Sequence, residues 1–442
     1  MTTTRRRFLT TGAAFAVGPN ILRAAETPAS ERVTLGFIGL GRMGRSHIVN
    51  NFCKRSNVHG LAVCDVDTTR RDWSKRELDK LNVKVHGAKS SPGVTAHNDY
   101  RELLERDDID AVVISTPDHW HAKVALEALQ AGKDLYLEKP LTHTLEESLI
   151  LMKAVESSDR ILQTGSMQRS YMPEFRVACE LVVNGVIGEV MHADTNMSGP
   201  PTVCKLPEEE MEPGLDWDRW IGPAGVRPYH SDLCPRGVKD VSPAWRRYWD
   251  FGGGGVMDFG PHNVDIARWG MELDDTMPVE VRLDANKSRD RGATLRFANG
   301  KTITHRREGA ATTFHGTEGM IRVGRRLFEL WRSKDKKDRE YISSSQVPKA
   351  HDKYLAGSDV KQLYRCTDHH GDFIDAVRER GKVICPVGVG ARTAMSCHLM
   401  NIAYRYGTDL KWDLEANALA EGSGDPAWLG RVSYRKGYEL PS

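Results

Sequence analysis

The sequence predicts an α/β protein, with an N-terminal doubly wound parallel sheet and then a second α/β domain on an open mixed or antiparallel sheet. Three observations predict it. Short apolar runs at residues 33–38, 59–64, 110–115 and 134–137 have the length and continuous apolarity of strands buried on both faces. Polar or amphipathic helical stretches separate them, at residues 68–80, 98–104 and 122–131, giving the strand–helix alternation of a parallel sheet. Beyond Gly165 the pattern changes to alternating strands with sparser helices.

The first run enters Gly39-Leu40-Gly41-Arg42-Met43-Gly44, a G-x-G-x-x-G turn, and leaves as a helix through Arg45 and His47. Gly39 permits the tight turn, Gly41 lets backbone approach a pyrophosphate, and Gly44 lets helix and strand pack closely. A diphosphate would rest on the unpaired N–H groups of that helix N-terminus, beside Arg42 and Met43. The second strand ends at Asp65, about 20–25 residues further on, where a ribose-binding acid belongs. Asp65 would accept from the 2′- and 3′-hydroxyls and repel a 2′-phosphate, which favours NAD. Arg70 and Arg71 follow closely and leave NADP open. This is the signature of a Rossmann domain; the bland alternative is a glycine turn without nucleotide.

The chain has 442 residues, enough for two or three domains. A formal charge of +2 gives no reason to expect nucleic acid. The eight cysteines are dispersed without a C-x-x-C pair, so neither a zinc site nor a disulfide framework is expected. At the N-terminus, Thr4-Arg5-Arg6-Arg7-Phe8-Leu9-Thr10 precedes a short apolar stretch and the small residues Ala24 and Ala25. This resembles a twin-arginine export signal, with cleavage between Ala24 and Ser30. It predicts a periplasmic protein whose partner in transit is the twin-arginine export machinery; a basic tail is the alternative. Residues 1–30 are therefore assigned as signal and linker, 31–165 as the nucleotide-binding domain and 166–442 as the substrate and oligomerisation domain.

Within the first domain a short strand is expected at residues 83–86. The strand ending at Ser115 delivers Thr116-Pro117-Asp118-His119-Trp120-His121 to the crevice at the carboxyl edge of the sheet. The strand at residues 134–137 delivers Glu138-Lys139-Pro140. A helix at residues 144–157 and a strand at 161–164 complete the domain. Strands are expected later at 190–195, 279–283, 293–297, 302–305 and 320–323, with an Asn299-Gly300 hairpin signal. Residues 198–243 read as long loops over the site. Helices are expected at 369–380 and 390–406.

Two stretches carry chemistry. Lys139 stands where an ammonium can lie beside nicotinamide and substrate and shuttle a proton. The second stretch runs from Gly252 through Asp258, Pro261 and His262 to Asp265. Four consecutive glycines suit a flexible loop or close backbone approach. Pro261 suits the first position of a helix, which places Asp258 on its loop side and His262, Asp265, Ile266 and Trp269 on one face.

Taken with the glycine turn, Thr116-Pro117 and Glu138-Lys139-Pro140, this stretch resembles the Gfo/Idh/MocA oxidoreductases, the glucose–fructose oxidoreductase and inositol dehydrogenase family. The resemblance runs from about Glu31 to the C-terminus. It implies a Rossmann domain followed by an open-sheet α/β domain, homo-oligomers, and oxidation or reduction of sugars and polyols with a nicotinamide cofactor, often held tightly. It makes Lys139 the catalytic lysine and places Asp258 and His262 on the reacting hydroxyls. Thr116 and Pro117 would border the nicotinamide, with Glu138 beside them, and Gln168 would lie near substrate and cofactor. His119 and His121 would contact ribose, nicotinamide or substrate, or only start a helix; no third ligand makes them a metal pair. Arg246 and Trp249, with Trp217, Trp220 and Trp245, are candidates for holding a sugar.

The function these readings predict is an exported, NAD-dependent oxidoreductase acting on a sugar, polyol or glycoside. A cofactor held tightly and restored within each turnover suits a compartment poor in free NAD. Glycoside cleavage through a transient keto-sugar is one alternative, since no carboxylate pair suggests ordinary hydrolysis. A non-catalytic sugar or nucleotide sensor is the other.

Overall fold

The computed structural model describes residues 31–307, 311–333, 339–431 and 433–441. The export-signal expectation falls on residues 1–30 and lies outside them. The first sheet comprises β1 (Val33–Ile38), β2 (Val58–Cys64), β3 (Thr95–His97), β4 (Ala111–Ile114), β5 (Asp134–Leu137) and β6 (Leu162–Thr164). All pair in parallel, in the order β3-β2-β1-β4-β5-β6. Their crossovers are built from α1 (Arg42–Ser46), α2 (Thr68–His86), α3 (Tyr100–Leu104), α4 (Asp118–Gln130) and α5 (Leu145–Glu156). The chain order reverses between β1 and β4, and a crevice opens at the carboxyl ends of those strands.

The strand expected at 83–86 is instead the end of α2. Asn82 Nδ2 donates to Gly60 O at 2.7 Å, and His86 Nε2 lies 2.8 Å from Val58 O. These two side chains, four residues apart on one helix face, fasten the last turns of α2 to β2. Gly87, at φ +79°, then ends the helix.

The second domain is built on a ten-stranded mixed sheet. It comprises β7 (Val190–Asn196), β8 (Glu280–Arg282), β9 (Thr294–Arg296), β10 (Thr302–Arg306), β11 (Thr312–Gly316), β12 (Gly319–Gly324), β13 (Leu327–Ser333), β14 (Arg339–Ser343), β15 (Leu410–Asp413) and β16 (Ala418–Leu419). The order is β14-β13-β12-β11-β7-β10-β9-β8-β15-β16, and β7 and β10 pair in parallel. The Asn299-Gly300 signal joins β9 to β10, with Gly300 at φ +83°. The helices are α6 (Pro173–Val183), α7 (Trp217–Ile221), α8 (Gly254–Gly270), α9 (Val347–Tyr354), α10 (His369–Glu379) and α11 (Val387–Tyr406). The core joins α6, α8 and α11 to one face of this sheet through Ala178, Val264, Ala267, Phe314, Ala394 and Cys397.

Two features differ from the sequence reading. Helix α8 starts at Gly254, so Pro261 lies inside it and Asp258 is helical rather than on a preceding loop. The glycines serve close approach. A Cβ on Gly254 would stand 2.4 Å from Pro201 N, and one on Gly255 2.3 Å from the Ser198 Cβ. The second feature is a return of the chain to the first domain. Phe373, Ile374 and Val377 of α10 pack with Val33, Leu35, Phe37, Phe52 and Tyr136 in the core of the nucleotide-binding domain. That core is thus completed by residues more than two hundred positions further along. Among the described residues, no helix is long and apolar enough to cross a membrane.

Candidate active site

A cleft of about 400 Å³ runs from the glycine turn, along the ends of β1, β2, β4 and β5, to α8. At its nucleotide end, Gly39 adopts φ +84°, and a Cβ there would stand 2.6 Å from Thr116 N. A Cβ on Gly44 would stand 2.0 Å from Gly39 O, so helix and turn touch there. A Cβ on Gly41 would meet nothing within 4 Å. That open space, at the start of α1 and flanked by Arg42 and Met43, fits a diphosphate.

Asp65 closes this end. Its Oδ2 accepts from Leu40 N at 2.6 Å and its Oδ1 from Asp67 N at 2.8 Å. Burial pushes its carboxyl up, opposed by Arg70 and these backbone bonds. Each oxygen keeps acceptor capacity for a ribose hydroxyl. The two arginines that left NADP open are both engaged by protein. Arg70 donates to Gly237 O at 3.1 Å and to Pro235 O. Arg71 donates to Asp65 O at 3.1 Å and Asn98 Oδ1 at 3.0 Å. Arg70 thereby draws the loop carrying Leu233, Cys234 and Pro235 over the cleft. Further in, Ser115 Oγ and Thr116 Oγ1 are buried without hydrogen-bond partners at the cleft wall, as polar atoms awaiting a ligand would be.

At the far end, Lys139 Nζ donates to Asp258 Oδ1 at 2.8 Å and to Asp258 O at 2.9 Å. Two of its three N–H groups are thereby committed and one remains. Burial would raise the Asp258 carboxyl, but Lys139, with Arg246 and Arg325 beyond it, outweighs burial and holds it below its ordinary value. His262 is buried with Nδ1 unpartnered. Burial, reinforced by the charges of Lys139 and Arg325, keeps its imidazole neutral well below the usual titration range. The Arg246 guanidinium lies over Trp245, 4.3 Å from the ring centroid, with Nε 3.9 Å from Asp258 Oδ1.

Two residues of this end were not singled out from sequence. Asp118 opens α4 with 6% exposure, and burial pushes its carboxyl up to about 8 against the pull of Arg246 and Lys139. It is a carboxylic acid at neutral pH. Its position directly after Thr116-Pro117, at a strand end, was the available signal. Arg325 comes from the turn between β12 and β13, and no local pattern marks it.

The other expected residues fall partly in the cleft wall and partly behind it. Glu138 lines the cleft and is tied to His47, whose Nε2 lies 2.9 Å from Oε1. Asn51 Nδ2 donates to His47 Nδ1 at 3.1 Å, so Nε2 carries the proton given to Glu138. Burial would raise Glu138, but His47 and Lys139 hold it below its ordinary value. His121 is seated behind the cleft wall, with Nδ1 2.7 Å from Pro140 O and Nε2 2.9 Å from Thr116 O. It props the two strand-end loops apart and is not itself a lining residue. His119 is likewise behind the wall, 3.0 Å from Trp220 O. Neither histidine is arranged for a metal.

Gln168 is buried just behind Met167, which lines the cleft, and its Oε1 has no partner. Trp249 does not line the cleft, and Arg405 lies over it, 4.7 Å from its ring centroid. Trp220 and Trp245 line the cleft, and Trp217 stacks behind Trp220 at 4.6 Å. Asp265, on the same helix as His262, is engaged elsewhere. It pairs with buried Arg169 through two 2.8 Å bonds, and Arg169 also holds Asp274.

A dinucleotide cradle leading to a lysine, a neutral imidazole and two differently ionised carboxyls defines the chain as an NAD-binding oxidoreductase of two domains. Comparison with known proteins agrees. Residues 33–166 match the family description "Oxidoreductase family, NAD-binding Rossmann fold". Residues 201–429 match "Oxidoreductase family, C-terminal alpha/beta domain". The chain belongs to the Gfo/Idh/MocA oxidoreductase family. A glycosyl hydrolase family 109 protein of Shewanella sp. strain ANA-3 is 37% identical over 171 residues, which is 38% of this chain and 35% of that protein. The match thus spans about a third of such relatives. Levoglucosan dehydrogenase in complex with NADH superposes with a TM-score of 0.57 at 19% identity, over 86% of this chain and 99% of that one. Aldose–aldose oxidoreductase from Caulobacter crescentus, complexed with glycerol, gives a TM-score of 0.54 at 16% identity, over 86% and 99%. At these identities the two structures speak to the fold.

Proposed function

We propose that this protein oxidises a secondary hydroxyl of a sugar, polyol or glycoside, using an NAD that stays bound and is restored within the turnover cycle. The observation that carries this reading is the convergence of Lys139, Asp258 and His262 at one end of the nucleotide cleft. The levoglucosan and aldose names of the structural neighbours lend it support. NAD supplies the hydride acceptor. Lys139, fixed by Asp258, donates its remaining N–H to the substrate oxygen and places the carbinol. The hydroxyl proton passes to His262, whose neutral imidazole can take it. Asp118 and Arg246 present further polar groups to the sugar.

A second reading has its own observation. Cleavage of a glycoside through a keto intermediate needs an acid for the departing oxygen. Asp118, protonated up to about 8, is such an acid in the same cleft. The family 109 glycosyl hydrolase relatives favour this version. Export by the twin-arginine route into the periplasm, and assembly into a homo-oligomer, belong to the same proposal. They rest on Arg5-Arg6-Arg7-Phe8-Leu9 and on the open sheet of the second domain.

The test is to denature the purified protein, identify the nucleotide released, and add glycosides and free sugars to the native protein while following nicotinamide absorbance. Near-stoichiometric NAD, reduced and then restored in one turnover, is the expected result. An empty protein that turns over only with added NAD would refute the tightly held cofactor. Lys139→Met should lower turnover at least about a thousandfold while nucleotide stays bound. Undiminished turnover in that variant would remove the mechanism, and nucleotide binding with no turnover on any carbohydrate would favour a sensor.

A further inference from the structure

The outward face of the second sheet carries a cluster that the cleft does not use. His192 and Asp194 lie two residues apart on β7 and so project from the same face. His315 of β11 is paired directly opposite His192. The alternate residues Ala193 and Thr195 are fully buried on the helix-covered side. His192 Nε2 lies 3.2 Å from Asp194 Oδ1, and His315 Nε2 lies 3.0 Å from Asp194 Oδ2. One ligand atom from each residue falls within 4.8 Å of the other two. The two imidazoles stack at 5.4 Å between centroids and 25° between planes.

Thr302 Oγ1 lies 2.9 Å from His192 Nδ1, which turns Nε2 of that ring toward Asp194. His315 Nε2 faces the other oxygen of the same carboxylate. Two imidazole nitrogens and a carboxylate converging in this way are the donor set that a zinc-class ion takes at three corners of a tetrahedron.

We infer that His192, Asp194 and His315 form a binding site for a divalent transition metal of the zinc class, with one position left to water or a further ligand. The supporting shell is in place. Thr302 fixes the orientation of His192. Arg306 Nε donates to Asp194 Oδ1 at 2.9 Å and orients the carboxylate. The three side chains are between 21% and 40% exposed, so an ion has access. None of them lines the nucleotide cleft, so the role is structural rather than catalytic.

The experiment is a titration of the full, chelator-treated protein with zinc alone by calorimetry, and with cobalt followed by visible absorbance. One equivalent per chain is expected, with the absorbance of four-coordinate cobalt and a zinc-dependent rise in melting temperature. His192→Ala and His315→Ala should each weaken binding at least about a hundredfold and abolish that rise. Thr302→Val should weaken it about tenfold through the supporting shell. Far-ultraviolet circular dichroism verifies that the surface variants are folded, with His192→Gln as the milder replacement. Absence of saturable zinc binding, or binding unchanged in both histidine variants, would overturn the inference and leave a cluster of hydrogen bonds on Asp194.

Discussion

Replacing Asp118 with asparagine tests how the cleft treats its charges. Folded Asp118 keeps its proton up to about pH 8, whereas in the unfolded chain the carboxyl releases it near its ordinary value of 3.8. Between these limits the unfolded state binds fewer protons than the folded one, so stability falls as pH rises. The contribution is fully present below about pH 4, declines through neutrality and levels off above about 8. About four units at 1.36 kcal/mol each set an upper limit of about 5 kcal/mol. Asparagine keeps the shape and cannot ionise. Urea unfolding of both proteins across pH 4.5–9 should therefore show Asp118→Asn gaining on the natural protein as pH rises, by several kcal/mol in all. A stability difference that does not change with pH would mean that Asp118 ionises normally, and would remove it as a proton donor to a departing sugar.

Other perturbations follow from close contacts. Gly44→Ala would drive a methyl group to 2.0 Å from Gly39 O, and should cost about 1–3 kcal/mol together with most nucleotide affinity, measured by thermal melting and NAD titration. Arg169→Met strands the buried Asp265 carboxylate and removes both Arg169 bonds to Asp274, and should destabilise by about 3–5 kcal/mol at pH 7 in chemical unfolding, with partial recovery under acid conditions. Asp65→Ala removes the acceptor for Leu40 N and Asp67 N and should weaken NAD at least about tenfold without creating a preference for NADP, since Arg70 and Arg71 are already occupied.

The nucleotide end of the cleft was legible because its determinants are local. Gly39, Gly41, Gly44 and Asp65 act through turns and strand ends whose spacing survives in a linear reading. Lys139 was legible for the same reason. The rest depends on where distant segments land. Asp118 looks like any aspartate opening a helix; it becomes an acid only because the packed cleft buries it, against the pull of Arg246, Lys139 and the Gly253 backbone. Arg325 arrives from a hairpin turn in the other domain. The end of α2 was misread because Val83-Lys84-Val85-His86 alternates like a strand, while the bonds of Asn82 and His86 to β2 decide for a helix. Pro261 suggested a helix start, but the chain turns at the glycines, where contact with residues 198–201 leaves no room for side chains. His121 and Trp249 have the composition of site residues and the packing of scaffold.

The return of α10 to the first domain bears on how the protein is made. Phe373, Ile374 and Val377 reach the first core only after most of the chain has left the ribosome, so the sheet that cradles the nucleotide waits, one flank uncovered, for its last layer. A fragment ending near residue 165 would hold every motif of the glycine turn and yet expose the patch on Val33, Phe37 and Phe52 that those residues cover. Cutting the gene at the apparent domain boundary would therefore separate a sticky half-protein from its lid, and the cofactor would find a finished berth only in the whole chain.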